Sequence, residues 1–485
     1  MTAVDEYQKT VIQLGDEGSD YLAKRSAESL KNNSFTDVIT PGMNGLRVIS
    51  IPKGMVAVVH SADGDPNESN LHNHSASLVE RLVAQAKQVN AVPLAICDVI
   101  DASEGKVEHL KQVMDGLLAG CSDFYVSILN GELAILGSRV AVPANVSGTM
   151  ISMAPRTAFS EIPGVFVRNR TRYFVFDPKG KPVYGNSDGI GTATEFPERT
   201  KIYSPHVKNF MAMNVDDAIK NGALVMCLSG VAEMSGNIPF DVIERDASKF
   251  GNEAGFTVIL QPEDVGDRIR SYKEGVPAYN ISGSAVSTID EERLRNPLVP
   301  KPGDYLIAFS GYPNPRSNGI TSKRKAMVQK FGNDWHEKPE CKALLNYLMS
   351  PAIVLYPFFR KLVDGGIASS FYHPSGGAYD GKLARPLAKH NLFARLDGLV
   401  PPKEDLFFMD ALGNTFEQAY AKWPMGIDGF ATTSQPDKAV AIGRLFSLEG
   451  RVIGRIEEAQ NGRTGVELVD IKDSDGNNIY FSGSK

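Results

Sequence analysis

The hexapeptide SDGIGT, Ser187–Thr192, sets a carboxylate beside two glycines at the end of an apolar run. Gly189 and Gly191 let the backbone come close to a ligand, and Asp188 is a hard oxygen donor suited to Mg²⁺; a plain turn would use the same residues. Further on, MNVDDAIKNGA (Met213–Ala223) puts Asp216 and Asp217, just after Asn214, at the start of an otherwise apolar helix. Adjacent acids there either complement the helix dipole or hold a metal or phosphate. GYPNPRSNGITSKRK (Gly311–Lys325) is a polar loop entering a helix, where Ser317, Asn318 and the first-turn N–H groups suit an anion such as phosphate. Ordinary capping by Thr321 is the alternative. YHPSGGAYDGK (Tyr372–Lys382) is a second small-residue loop, with Ser375, Lys382 and a histidine, His373, that is either structural or catalytic.

Two further sets carry less. Asp63, Asp65 and Asn67 have calcium-loop spacing but lack the glycine and glutamate that such a loop needs. His72 and His74 have no Cys or His partner spaced to complete a metal site. Both sets read as solvated loop. The sequence holds no Walker A or Rossmann GxGxxG motif.

Those residues must be positioned by a chain of 485 residues, 42% hydrophobic and 22% charged, long enough for two or three domains with separate cores. A net charge of −6 without a dense Lys/Arg run disfavours nucleic acid as a partner. The first residues show no basic segment followed by an apolar stretch, and no apolar run approaches the roughly 20 residues that span a bilayer. Four well-separated cysteines, Cys97, Cys121, Cys227 and Cys341, read as buried thiols. The expectation is a cytoplasmic protein with no membrane partner.

The strongest organisational signal is an internal repeat. ANVSGTMIS from Ala144 returns as YNISGSAVS from Tyr279, and HSADG ending at Gly64 returns as GNSDG ending at Gly189. VNAVPLAIC ending at Cys97 returns loosely as KNGALVMC ending at Cys227, and FYVSILN from Phe124 as FTVILQ from Phe256. The order is the same in both copies, which implies a duplicated domain. Each copy alternates strand and helix patterns. GMVAVVHSADG reads as a buried strand; Leu78, Val79, Leu82, Val83 and Ala86 share one helical face, as do Val107, Leu110, Met114, Leu117 and Leu118. A helix is predicted over 207–221, a long one over 342–363, and a two-strand end around DSDGNN. This is an α/β or α+β plan.

Taken in order, the motifs resemble the aminoimidazole ribonucleotide synthetase (phosphoribosylformylglycinamidine cyclo-ligase) family. Its DGxGTK loop, VND helix, SNG loop and H…GGG loop are matched by DGIGT, MNVDD, PRSNGITSKRK and HPSGGA, followed by WPMGIDGF (Trp423–Phe430), over residues 160–470. The preceding part looks like a second copy of the family's N-terminal domain, with DEGSDYLAKRSAESLK as its opening helix and PGMNGLRVIS at the place of its Gly-rich loop. The resemblance implies two tandem N-terminal-type α/β domains, 1–155 and 156–300, forming a pseudo-dimeric barrel, and a C-terminal-type α/β domain, 301–485.

It also implies ATP and Mg²⁺ as cofactors, a small ribonucleotide as substrate, and a monomer with an internal pseudo-dimer or a homodimer. ATP would meet Gly189, Gly191, Thr192 and Asn214, with Gly42 and Gly45 of the first copy; the metal would sit on Asp188, Asp217 and Asp63. Asp188, Asp216, Asp217, Glu132 and His373 are the implied catalytic residues. Ser317, Asn318, Gly319, Ser375, Gly376, Gly377 and Lys382 would bind substrate. The sequence departs from the family pattern at Ala193, where the pattern has lysine, and at Gln261, where it has glutamate, although Glu263 is near. In the first copy Glu132 and Asp63 are retained, while Ala84 and Gln85 replace the VND acids. One composite site, with Glu132 from the first copy and Asp188, Asp216 and Asp217 from the second, is the expectation. The implied reaction is ATP-dependent ring closure of formylglycinamidine ribonucleotide; the alternatives are phosphorylation of another amide or acid, or nucleotide binding without turnover.

Overall fold

The computed structural model describes residues 17–39, 46–459 and 461–483. The chain forms two compact units, one running to Ala218 and over Ala223–Asn296, the other comprising Ile219–Gly222 and everything from Pro297.

In the first unit, a helix α1 (17–26) precedes β1 (Thr36–Ile39), β2 (Leu46–Ile49), β3 (Met55–Asp63), α2 (Leu71–Gln88), β4 (Val92–Ala102), α3 (Val107–Asp123), β5 (Ser127–Ile135) and β6 (Ala144–Pro155). The same succession follows: β7 (Gly164–Arg168), β8 (Thr171–Phe176), β9 (Val183–Gly189), α4 (Glu195–Thr200), α5 (Ser204–Lys220), β10 (Leu224–Ser235), α6 (Phe240–Ala254), β11 (Thr257–Asp264) and β12 (Ala278–Thr288). One sheet has the order β5-β4-β6-β3-β8-β7, the other β11-β10-β12-β9-β2-β1. The two orders are the same except that each sheet carries the other copy's N-terminal hairpin. The repeats are thus interlocked, as in a dimer with exchanged elements.

Register fixes which residues correspond. Asp101 pairs with Asn145 across β4 and β6, and Glu233 pairs with Asn280 across β10 and β12. By this register Cys97 corresponds to Ser229, opposite Thr149 and Ser284 in turn, and not to Cys227 as the loose sequence match implied. The approximate twofold passes between Val140 and Ile269, which form an isolated bridge. There Ala141 N donates to Arg268 O and Arg270 N to Arg139 O, both at 2.8 Å.

The amphipathic faces read from the sequence cover the first sheet. Leu78, Leu82 and Val83 of α2 and Leu110, Met114 and Leu117 of α3 pack on Ile96, Ile100 and Ile128. Between the sheets, Ala57, Val59, Ile151, Phe174, Phe176, Val183, Ile259 and Val286 form a second core. Each such aliphatic or aromatic side chain contributes about 1.5–3 kcal/mol by leaving water. Strands buried on both faces should be wholly apolar, yet these carry serines and threonines. The hydroxyls bond one another: Ser61 to Thr149 at 2.9 Å and Ser187 to Ser284 at 3.0 Å between neighbouring strands, and Ser61 to Ser229 at 2.7 Å from one sheet to the other. Within the second of these sheets, β12 lies so close to β10 that a Cβ on Gly283 would overlap the Ser229 carbonyl and Gly230 Cα.

The second unit holds a seven-stranded sheet of order β14-β16-β13-β17-β15-β18-β19, from β13 (Tyr305–Ser310), β14 (Ser370–Tyr372), β15 (Leu392–Leu396), β16 (Gly429–Thr433), β17 (Glu449–Glu458), β18 (Gly465–Lys472) and β19 (Asn478–Phe481). The single helix predicted over 342–363 is two, Lys342–Met349 and Tyr356–Asp364; Pro351 falls in the break, where it cannot supply a helical N–H. The helix after the SNG loop, Ile320–Phe331, is capped at Gly319, so Thr321 lies inside it and not at its cap. His72 and His74, read as solvated loop, lie instead in the first turn of α2. His74 is fully buried, its Nδ1 2.9 Å from Asp65 O and its Nε2 accepting from Val146 N at 3.3 Å, and burial lowers its pKa to about 4.

Candidate functional site

At one end of the two-sheet core the hydroxyls give way to carboxylates. Asp63 ends β3, Asp101 and Glu233 lie near the ends of β4 and β10, and Asn145 and Asn280 sit near the starts of β6 and β12. Each asparagine reaches the opposite sheet. Asn280 Nδ2 donates to Asp101 Oδ2 at 2.6 Å and to Glu233 Oε2 at 3.0 Å; Asn145 Nδ2 donates to Glu233 Oε1 at 3.0 Å and to both Asp63 oxygens at 3.2 Å. The extra methylene of Glu233 lets one carboxylate bridge both asparagines. Burial, then the charge of Glu233, raises the Asp63 and Asp101 carboxyls well above the usual range, and burial raises Glu233 itself. Asp188, at the end of β9, adds to the shift of Asp101.

The two halves of this cluster are equivalent by register but not by chemistry. Arg268 enters the half holding Asp63. Its Nε donates to Asn145 Oδ1 at 2.8 Å and its other nitrogens to the carbonyls of Glu68 and Ala144 at 2.9 and 3.3 Å. Beside it Arg81 grips Glu263 at 2.7 and 2.9 Å. The counterpart of Arg268 is Arg139, which is drawn aside to Glu198 at 2.6 and 3.0 Å and to Thr194 Oγ1 at 2.7 Å. Asn280 Oδ1, the counterpart of the atom Arg268 meets, has no hydrogen-bond partner. One half is closed by protein cations. The other, with Asp101, Asn280 and Asp188, retains an acceptor and two carboxylates.

Local structure aims the SDGIGT loop at that half. Gly189 N donates to Asp188 Oδ1 at 2.7 Å, Asn214 Nδ2 of α5 to Asp188 O at 3.2 Å, and Asn186 Nδ2 to Asn214 O at 3.2 Å. Gly191 opens a short turn in which Thr192 and Ala193 are buried. Asp216 and Asp217 follow Asn214 on α5 and are both buried. From the first copy, Asn130 Oδ1 of β5 accepts from Ser187 N at 3.1 Å, and Glu132 lies two residues further along that strand. Glu132 also lines a cleft of about 390 Å³ under α1, together with Asp98, Arg47 and Asn130. Gly42 and Gly45 lie outside the described residues.

Mg²⁺ keeps several waters and is held by one or two carboxylates plus phosphate oxygens. Asp188 with Asp101, beside an orphaned amide oxygen, fits such a donor set. Among the described residues no three His, Cys, Asp or Glu side chains converge as an all-protein metal cage. Asp63 lies in the half closed by arginine.

The second unit brings its two motif loops together. Asn318 Nδ2 donates to the Ser375 and Pro374 carbonyls at 2.8 and 3.4 Å, and Gly319 N to Asn318 Oδ1 at 3.0 Å. Gly376 and Gly377 are exposed at the tip of the partner loop, and Lys382 follows in a wide helical turn. His373 is buried, with Nδ1 3.5 Å from the Arg316 guanidinium, which bonds Ile353 O at 2.9 Å and Asp428 at 3.4 Å.

Sequence reasoning passed over Asp101, Glu233, Arg139 and Arg268, and gave Asn145 and Asn280 no role although both stand inside the quoted repeat. The signal was a polar side chain at the same place in two apolar strands, and GSR at 137–139 echoed by GDR at 266–268.

No family model matches the chain. It is 25% identical over 260 residues to the phosphoribosylformylglycinamidine cyclo-ligase of Pyrococcus furiosus, 53% of this chain and 73% of that protein. It is 25% identical over 304 residues to the Clostridium perfringens enzyme of that name (60% and 85%), and 27% identical over 292 residues to the one from Thermoplasma volcanium (58% and 81%). Among solved structures it is similar to T. maritima PurL complexed with FGAR, at TM-score 0.39 and 16% identity, over 65% of this chain and 46% of that one. The chain therefore spans less than half of that structure. It is also similar to thiamine monophosphate kinase from Aquifex aeolicus (TM-score 0.38, 15% identity, 60% and 89%) and to E. coli HypE, a hydrogenase maturation protein (0.41, 14%, 61% and 85%). The resemblance seen in the motifs is thus present along more than half of the sequence.

Proposed function

We propose that the chain is an ATP-dependent enzyme of the aminoimidazole ribonucleotide synthetase type, closing the ring of formylglycinamidine ribonucleotide at one composite site. The observation that carries this reading is the asymmetry of the carboxylate cluster. Its open half takes Asp101 from one repeat and Asp188 and Asn280 from the other, while the equivalent half is occupied by Arg268. Kinship to cyclo-ligases supplies the reaction class.

In that reaction the γ-phosphoryl group of ATP passes to the formamide oxygen, which becomes a leaving group. The amidine-side nitrogen attacks the same carbon, and phosphate departs with that oxygen, leaving the imidazole, ADP and phosphate. Asp188 with Asp101 would hold Mg²⁺, which when bound would supply charge compensation for the transferring phosphoryl group, and Glu132 is proposed as a further acid from the first copy. Asn214 fixes the main chain of Asp188, Gly189 lets the triphosphate come close to the backbone, and Gly191 with Thr192 opens the short turn proposed to lie against it. Asp216 and Asp217 stand on the same helix as Asn214 and complete the acidic set. Taken by itself, the second unit offers Ser317, Asn318 and Gly319 with Ser375, Gly376 and Gly377 as proposed phosphate-binding loops, with Lys382 as a point charge. The internal pseudo-dimer makes a partner chain unnecessary for this site. No described helix is long and apolar enough to cross a membrane.

A second reading changes the acceptor to another amide or acid. It is favoured by Ala193, buried where the family pattern has lysine. Phosphate release from ATP and Mg²⁺, measured with and without formylglycinamidine ribonucleotide, separates the two. Stimulation by that ribonucleotide with formation of the imidazole is expected; ATP hydrolysis indifferent to it moves the assignment to the second reading, and ATP binding without hydrolysis refutes both.

A further inference from the structure

The cleft under α1 has a chemistry that the phosphoryl-transfer residues do not use. Its volume is about 390 Å³ and its walls include Leu22, Leu46, Met114 and Leu133. At its polar end lies Asp98, only 2% exposed, whose Oδ1 has no hydrogen-bond partner. A buried, unsatisfied carboxyl oxygen costs about 1–3 kcal/mol unless something binds it. Arg47 lines the same cleft, but its nitrogens are committed to Ser26 Oγ at 2.8 Å, Ala23 O at 3.1 Å and Ile128 O at 3.2 Å. Gly131 keeps the space in front of the carboxyl clear, since a Cβ there would stand 2.8 Å from Asp98 Oδ2.

This arrangement belongs to one repeat. The register places Gly230 where the first copy has Asp98, and buried Leu260 where it has Gly131. The equivalent edge of the second copy is also tied shut, with Gln261 Oε1 accepting from Arg172 N at 3.2 Å and Gln261 Nε2 donating to Arg170 O at 3.3 Å.

We infer that the cleft holds the base of the nucleotide, a planar 6-aminopurine whose amidine edge is read by Asp98 between aliphatic walls. A carboxylic acid matches that edge with two parallel hydrogen bonds. Its O–H donates to the ring nitrogen, and its carbonyl oxygen accepts from the exocyclic amine. Burial raises the Asp98 pKa to about 7, which makes the protonated form available. The inference rests on the nucleotide reading above and adds the base specificity to it.

The test measures binding of adenosine, ATP, N6,N6-dimethyl-ATP and GTP to the whole chain by titration calorimetry, for wild type, D98N and D98A. ATP and adenosine should bind wild type and D98N alike, because the asparagine amide offers the same donor and acceptor, and D98A about tenfold or more weakly. N6,N6-dimethyl-ATP should lose a similar factor on wild type. The isosteric D98N guards against a folding defect in D98A. Adenosine that binds wild type but not D98A, with no triphosphate hydrolysed, supports the base pocket while removing the enzymatic reading. Equal affinity of wild type and D98A for both ligands, failure of both to bind, tolerance of the dimethylated base, or preference for GTP overturns the inference.

Discussion

Ser147 and Ser282, the same position in the two repeats, share a hydrogen bond of 2.6 Å between their Oγ atoms. Equivalent atoms can meet only where the twofold relating them passes, so this pair marks the axis of the first unit. From it the carboxylate cluster spreads to both sides, and the side chains that meet it differ between them.

Removing the charge at the open half should abolish turnover without unfolding the chain. D188N and E132Q are expected to lower the rate of ATP-dependent turnover by about 10²-fold or more, the scale of losing one charge-stabilising group. Each should keep a melting temperature within a few degrees of wild type. Wild-type turnover in E132Q would dissolve the composite site.

The closed half should behave in the opposite way. R268Q withdraws the guanidinium that meets Asn145 Oδ1 and the Glu68 and Ala144 carbonyls, a change of about 1–3 kcal/mol for buried acceptors left unpaired. Chemical denaturation should register that loss, while turnover per folded molecule stays near wild type. A normal denaturation midpoint would mean that Arg268 is not the resident cation of that half.

Stability should decline as pH rises, against the habit of most carboxylates. Asp98 is raised from an ordinary 3.8 to about 7, and Asp63, Asp101 and Glu233 move in the same direction. Between its unfolded and folded values such a group binds more protons in the folded chain, so folding is favoured below that window and loses about 1.4 kcal/mol per pH unit per group across it. The melting temperature should fall between pH 5 and pH 8 without Mg²⁺, and D98N should flatten part of the slope. A slope that is flat or rising in the wild type would contradict the burial of these acids.

The close pairing of β10 and β12 within their sheet gives a steric prediction. G283A inserts a methyl group against the Ser229 carbonyl and Gly230 Cα, both backbone and unable to step aside. Overpacking of this kind costs about 1–3 kcal/mol, and thermal unfolding should shift down accordingly. A neutral G283A would show that β12 can shift locally against β10.

Much of this plan was legible because duplication repeats its own evidence. The motif pairs from Ala144 and Tyr279 lie at the matching places of β6 and β12, and the apolar faces of α2 and α3 are those that pack on the sheet. The exchange of hairpins was not legible, since β1–β2 and β7–β8 have the same local pattern whichever sheet they join. Nor was the division of labour between Arg139 and Arg268. Both follow equivalent strands in the same short turn, and only the presence of Glu198 and Thr194 near one of them decides which way its guanidinium swings. The two-residue slip in aligning β10 shows the limit of matching apolar strands by composition: Cys227 looked like Cys97, but hydrogen-bond register, not residue type, sets equivalence.

The traded hairpins also constrain the order in which the chain can be finished. A nascent polypeptide that has reached Pro155 owns four strands of its first sheet and must wait for 164–176 to supply the outer two, while its own strands at 36–49 wait for a sheet not yet synthesised. Neither repeat can therefore mature before the other, and scission in the linker between 155 and 164 should leave two fragments that regain their shape only by finding each other again.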